Sequence, residues 1–186
     1  MKKIFAIAAM ALLTLSASAQ KIARVNFTEL VQLMPESDKA RETMAAASKE
    51  ADETYKTMVE EFQGKYQEYQ QKQSTWTASI KESKERALSD LQQRIQDFQQ
   101  SVSQELQEQQ STLMAPIYQK AQEEVQKIAK EQGIDVLLDS TGALYFSDAI
   151  IDITAQARKA LGIKEGRTLE QLQQELQAQA QAQNAQ

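Results

Sequence analysis

The sequence predicts a mainly helical protein with a small β body, in which a long antiparallel helical hairpin projects from an oligomeric base built of three strands per subunit. Three observations predict it. Between Glu36 and Gln132 there is one Gly (Gly64) and one Pro (Pro116) in a segment of Gln, Glu, Lys, Ala and Leu, the residues that lose least on entering a helix. Short segments rich in β-branched and aromatic residues flank it on both sides. Its apolar residues recur every eleven positions.

The N-terminus is set aside first. Lys2 and Lys3 open the chain, Ile4 to Leu15 is apolar but too short for a stable bilayer span, and Ala17-Ser18-Ala19 places small residues at a cleavage position. Residues 1–19 therefore read as a secretory signal peptide cut before Gln20. Loss of its two lysines leaves 19 basic against 26 acidic side chains, a formal charge of -7. An exported chain with no Cys draws its stability from burial or assembly and not from disulfides.

Ile22 to Phe27 reads as the first strand, with Val25 and Phe27 as candidates for the oligomeric body. After the long segment, Ile134 to Leu138 and Ala143 to Phe146 read as two strands of a β-hairpin. They are joined by Asp139-Ser140-Thr141-Gly142, with Gly142 able to take a positive φ. Val136, Leu138, Leu144 and Phe146 are the body candidates there.

Within the long segment, Ala40, Ala51 and Phe62 are eleven apart, as are Met44, Tyr55 and Tyr66, and Ala47, Met58 and Tyr69. Further on, Ile80, Leu91, Val102 and Leu113 repeat at the same interval, and so do Ile95, Leu106, Ile117 and Ile128. Eleven residues in three turns keep the apolar stripe nearly straight, which is a hendecad coiled coil. Lys84, Gln109 and Lys120 fall on or near the stripe and Gly64 weakens the helix, so the seam is expected to hold loosely.

One unbroken helix would part Val25 from Val136 by well over 100 Å at about 1.5 Å per residue. That would strand an isolated hairpin, itself marginal in water, at one end. A reversal at Gln73 to Thr77, where Gln-Ser-Thr-Trp-Thr lowers helix propensity, brings the strands together. Pro35 then opens the first helix, where its missing N–H costs nothing. Pro116 kinks the second where it enters the base, with Met114 and Tyr118 beside it as body candidates.

Asp152 is an N-cap for a short helix ending at Leu161 and stopped by Gly162. Thr168 and Gln171 form a capping box ahead of a thin stripe of Leu169, Leu172 and Leu176, followed by a low-complexity Ala/Gln tail. The expected organisation is a discontinuous body at 20–35 and 114–162, an arm at 36–113 and an extension at 163–186. So small a body asks for partner copies.

Composition narrows the function. With neither Cys nor His, the thiol, imidazole and zinc-finger chemistries are excluded, and no carboxylate pair stands out as an acid/base site. No catalytic residue, metal ligand or cofactor site is assigned. A mean hydropathy of -0.56 and a net charge of -5 argue against a polytopic membrane protein and against nucleic-acid binding. Partners are expected to be proteins.

The strand Ile22-Ala23-Arg24-Val25-Asn26, the Gln/Lys/Glu-rich hairpin, Gly133-Ile134-Asp135-Val136-Leu137-Leu138-Asp139, Leu144-Tyr145-Phe146 and Asp152-Ile153-Thr154 occur in an order that resembles the Skp/OmpH family of periplasmic chaperones. The resemblance spans about Gln20 to Gly162. It implies a homotrimer with a shared β body and three helical arms around a cavity that holds unfolded outer-membrane proteins, with no ATP, metal or other cofactor. Well-known members are basic, whereas this chain is acidic, so no lipopolysaccharide site is carried over and membrane contact is expected to be indirect or weak.

Client-contact candidates follow from that resemblance. Val59 and Trp76 lie off the stripe in the outer arm, although Trp76 could equally pack on its own turn. Met58, Phe62, Tyr66 and Tyr69 lie on the stripe, where arm core is the simpler reading. Two other classes share parts of the pattern. A structural or adaptor coiled coil of the envelope would use the same repeats with a firmer seam, and an apolipoprotein-like lipid binder would show wider apolar faces edged by Lys.

Overall fold

The computed structural model describes residues 20–184; the signal-peptide assignment at 1–19 lies outside them. The described chain forms two compact units. One comprises residues 20–33 and 120–184, the other residues 34–119.

The first unit is built on a three-stranded sheet of β1 (Ile22–Val25), β2 (Val136–Asp139) and β3 (Ile151–Asp152), in the order β2-β1-β3. Both pairings are parallel: Ile22 to Val25 run beside Val136 to Asp139, and Ala23 and Arg24 beside Ile151 and Asp152. Parallel neighbours need a crossover, and everything between Asn26 and Asp135 serves as the one joining β1 to β2. The entry to β2 is tied to β1 by Lys21, whose N–H meets the Asp135 carboxylate at 2.7 Å and whose carbonyl accepts the Asp135 N–H at 2.8 Å.

These strands correct the expected hairpin. Ile134 to Phe146 does not fold on itself: β2 pairs with β1 along one edge, and its other edge meets no strand among the described residues. Asp139 instead accepts the Thr141 N–H at 3.1 Å and turns the chain into a 3-10 segment, Ser140–Gly142. Ala143 to Phe146 is not a strand, and Gly142 is not among the described glycines with positive φ, which are Gly133, Gly162 and Gly166. The third strand is the two-residue β3, too short to leave a pattern in the sequence.

The first strand also ends earlier than expected. Asn26 caps a helix, α1 (Phe27–Leu33): its side-chain oxygen accepts the Glu29 N–H at 3.1 Å while its amide donates to the Glu29 carboxylate at 2.9 Å. This is an Asn N-cap with a side-chain amide–carboxylate pair and not a capping box, because the Asn26 backbone N–H is taken by the Thr154 hydroxyl at 3.0 Å. Phe27 is therefore the first helical residue and not a strand residue.

The core of this unit gathers Ala23, Val25, Leu30, Val31 and Leu33 with Ala121, Val125 and Ile128 from the end of the long second arm helix. Ile153, Ala157, Leu161 and Ile163 complete it. Helix α4 (Thr154–Ala160) packs on α1. Asp152 helps to start α4 by accepting the Thr154 N–H at 2.9 Å, and Gly162, with φ of 67°, ends it. There the Ile163 and Gly162 N–H groups bond back to the Arg158 and Lys159 carbonyls, the Schellman arrangement.

Helix α5 (Leu169–Asn184) opens with the expected capping box, both Thr168–Gln171 bonds measuring 3.2 Å. It too packs on α1. Of its stripe, Leu172 is buried and Leu176 is exposed.

The second unit is the antiparallel hairpin of α2 (Pro35–Lys72) and α3 (Ala78–Glu131), the latter continuing beyond the unit's limit at residue 119. Pro35 opens α2 after an extended Met34, the conformation that a following proline imposes. The reversal occupies residues 73–77, as expected, and the Thr77 hydroxyl starts α3 by accepting the Ile80 N–H at 3.4 Å. Helix α3 runs through Pro116 without ending there.

Candidate functional site

No side-chain cluster with chemistry of its own dominates either unit. Among the described residues no group of His, Cys, Asp and Glu could hold a metal ion, and no helix is long and apolar enough to cross a membrane. Two surfaces remain, one in each unit, and both are defined by apolar side chains left in solvent.

In the arm, the half-buried positions Met44, Ala47, Ala51, Met58, Phe62 and Tyr69 of α2 follow the stripe, and α3 meets it with Lys84, Leu91, Phe98, Val102, Leu106 and Gln109. Of these only Leu91 is fully enclosed, so the seam is shallow. Two narrow stripes carrying Lys84 and Gln109 cannot exclude water along their whole length. Tyr55, Tyr66 and Ile80 consequently stay exposed, Tyr66 by 46%.

The tip is better defined. Tyr69 donates its hydroxyl hydrogen to the Glu85 carboxylate across the hairpin, which pushes its pKa up to about 12. Trp76 lies against Tyr69 with ring centroids 5.9 Å apart, and the Lys84 ammonium sits 5.5 Å from the Trp76 ring. Hydrogen bonds from Lys72 and then Lys84 hold the Glu68 carboxyl below its ordinary range.

The expected arm residues thus part company. Trp76 and Tyr69 pack on each other at the tip, the alternative noted for Trp76. Phe62 stacks on Tyr66 at 6.1 Å, and Met58 and Val59 are half-buried. A groove of about 320 Å³, which periodicity did not reveal, opens midway along the arm where Ala47 and Ala51 face Phe98 and Val102.

In the body, Val25 is buried and Phe27 half-buried, whereas Val136 and Leu138 on the outer strand β2 are exposed by 38% and 42%. Leu144 and Tyr145 stand free in solvent, while Phe146 is half-buried beneath the Arg24 guanidinium, 5.3 Å from its ring. Arg24 also pairs with Asp152 at 3.1 Å. Of the other two body candidates, Met114 is half-buried and Tyr118 exposed, and both lie in the second unit, residues 34–119. A polar anchor went unforeseen. Arg158 binds both the Glu29 carboxylate and the Arg167 carbonyl, joining α1, α4 and the turn before α5.

A helical hairpin inserted in the chain between the first two strands of a small parallel sheet, with apolar side chains displayed in solvent, defines a mainly helical protein with a small β body. The chain belongs to the OmpH-like outer membrane protein family, which matches residues 21–161. It is similar to the chaperone protein Skp of Pectobacterium atrosepticum, with 29% identity over 142 residues, 76% of this chain and 86% of the relative. Its fold is similar to the crystal structure of an OmpH-like protein from Caulobacter crescentus CB15, with a TM-score of 0.70 at 15% identity over 78% of this chain and 86% of the other.

Proposed function

We propose that this protein is an ATP-independent holdase of the periplasm, exported by its N-terminal signal peptide, that assembles as a homotrimer and encloses unfolded outer-membrane β-barrel proteins between its arms. Family membership carries this reading, together with an arm whose seam leaves Tyr55, Tyr66 and Ile80 in solvent. An uninserted β-barrel chain exposes alternating apolar side chains and unpaired strand edges that aggregate in water. Many weak apolar contacts from loosely packed arms would retain such a client without imposing one conformation on it. The eleven-residue spacing of the half-buried arm positions supports a hendecad seam for each arm.

Assembly has its own support. Among the described residues both outer strands of the sheet, β2 and β3, have an unpaired edge, and Val136 and Leu138 of β2 with Leu144 and Tyr145 leave apolar surface in solvent. Neighbouring copies would cover it. We place the body at residues 20–35 and 114–162, the arm at 36–113 and the extension at 163–186. Client contacts are assigned to Val59, Met58, Phe62, Tyr66, Tyr69 and Trp76, and the acidic surface leaves membrane contact indirect.

The test is to dilute a urea-unfolded outer-membrane barrel into buffer with the protein and follow light scattering. The full chain suppresses aggregation, and a variant lacking residues 59–91 remains trimeric but does not. Full suppression by the shortened variant would remove the arm as the binding element.

A further inference from the structure

The groove midway along the arm has a composition that the apolar seam does not require. Half-buried Ala47 and Ala51 from α2 face Phe98, Val102 and Leu106 from α3, and half-buried Gln109 and exposed Thr54 add polar groups to the lining. Glu50 and Glu105 stand at its edge, exposed, one from each helix. No Lys or Arg lines it. Neither carboxylate has a partner among the described ion pairs, and the nearest lysine in sequence, Lys49, is engaged by Glu53 at 3.9 Å. Between Arg94 and Lys120, α3 carries Asp97, Glu105 and Glu108 and no basic residue at all. A cleft of about 320 Å³ has room for one or two large apolar side chains.

The geometry points to this groove as a subsite for an extended client segment in which a large apolar side chain enters the cleft and a neighbouring Lys or Arg meets Glu50 or Glu105. The assignment rests on the holdase reading and specifies the client chemistry: apolar residues flanked by positive charge, not by negative charge. Charge complementarity selects the occupant. The apolar wall retains a side chain of either kind of segment, but two unpaired carboxylates attract a basic neighbour and repel an acidic one. Because both acids are exposed, the preference is modest and fades as salt screens it.

The experiment uses the full chain and two fluorescent peptides of equal length and equal Leu and Phe content, one with Lys and one with Glu at the alternating positions. At low ionic strength the Lys peptide binds about fivefold more tightly, the size that two exposed charge pairs support. In Glu50→Gln/Glu105→Gln the preference falls to about twofold or less, with helicity unchanged by circular dichroism. Filling the cleft with Ala51→Leu, or with Ala47→Met should the first variant lose helicity, weakens both peptides together. Equal affinity of the unaltered protein for the two peptides overturns the assignment. So does a preference that survives the double Gln change, or undiminished binding in a folded cleft-filled variant. If these results occur while the protein still suppresses barrel aggregation, the groove is excluded and the holdase stands. If the protein neither binds the peptides nor suppresses aggregation, both are excluded.

Discussion

The Tyr69 hydroxyl of α2 donates to the Glu85 carboxylate of α3, so the two helices of the arm are joined near their reversal by a charge-assisted hydrogen bond beside the protein's single tryptophan. The bond exists only while Tyr69 keeps its proton. Its folded pKa of about 12 exceeds the ordinary value of 10.0, so its contribution is complete below pH 10 and is lost as pH rises toward 12. In an ultraviolet titration one of the five tyrosines will ionise near 12, and Trp76 emission will change with it, because the rings lie 5.9 Å apart. Glu85→Gln removes the late titration. If no tyrosine ionises above the ordinary range, the bond does not form in solution.

Gly64→Ala should stabilise the arm. The position is inside α2, its φ is not in the positive region and an added Cβ would meet nothing within 4 Å. A gain of about 1 kcal/mol is expected from helix propensity alone, read as a higher urea midpoint for arm helicity.

Arg158→Ala should unsettle the body well beyond its surface position, since the guanidinium serves both the Glu29 carboxylate and the Arg167 carbonyl. Both side chains of the ion pair are largely shielded, with 20% and 24% exposure. A loss of about 2 kcal/mol is expected in urea unfolding, with Glu29→Ala non-additive in a double-mutant cycle. Additive losses would mean that the two residues act separately.

Leu172→Ala and Leu176→Ala should differ sharply, although the residues are one helical turn apart. Leu172 is 5% exposed and Leu176 39%. The first change should cost about 2 kcal/mol or more and the second under about 0.5 kcal/mol. Equal small losses would show that the extension is not docked on α1.

Leu138→Asp tests assembly apart from folding. Because Leu138 is 42% exposed within the subunit, its replacement should leave circular dichroism nearly unchanged while light scattering reports a smaller species. Under the proposed assembly the outcome is folded, dissociated subunits. An oligomer that survives the change would place the interface elsewhere.

What the sequence determined by itself is the set of features governed by neighbours three or four residues apart. The long helices, the opening of α2 at Pro35 and the Thr168–Gln171 cap depend on backbone preference and local hydrogen bonds and were legible; the reversal at 73–77 followed instead from the need to bring the flanking strands together. Asn26-Phe27-Thr28-Glu29 carried the same kind of signal and was overlooked, because Val25 and Phe27 also fit a strand. The tertiary structure alone decided which strands pair. Ile22 pairs in parallel with Val136 across more than a hundred residues, and Ala143 to Phe146 forms no strand. A four-residue strand holds no periodicity long enough to name its partner, and a groove depends on which side chains of two helices meet. Both are properties of distant surfaces brought together, and local chemistry does not encode them.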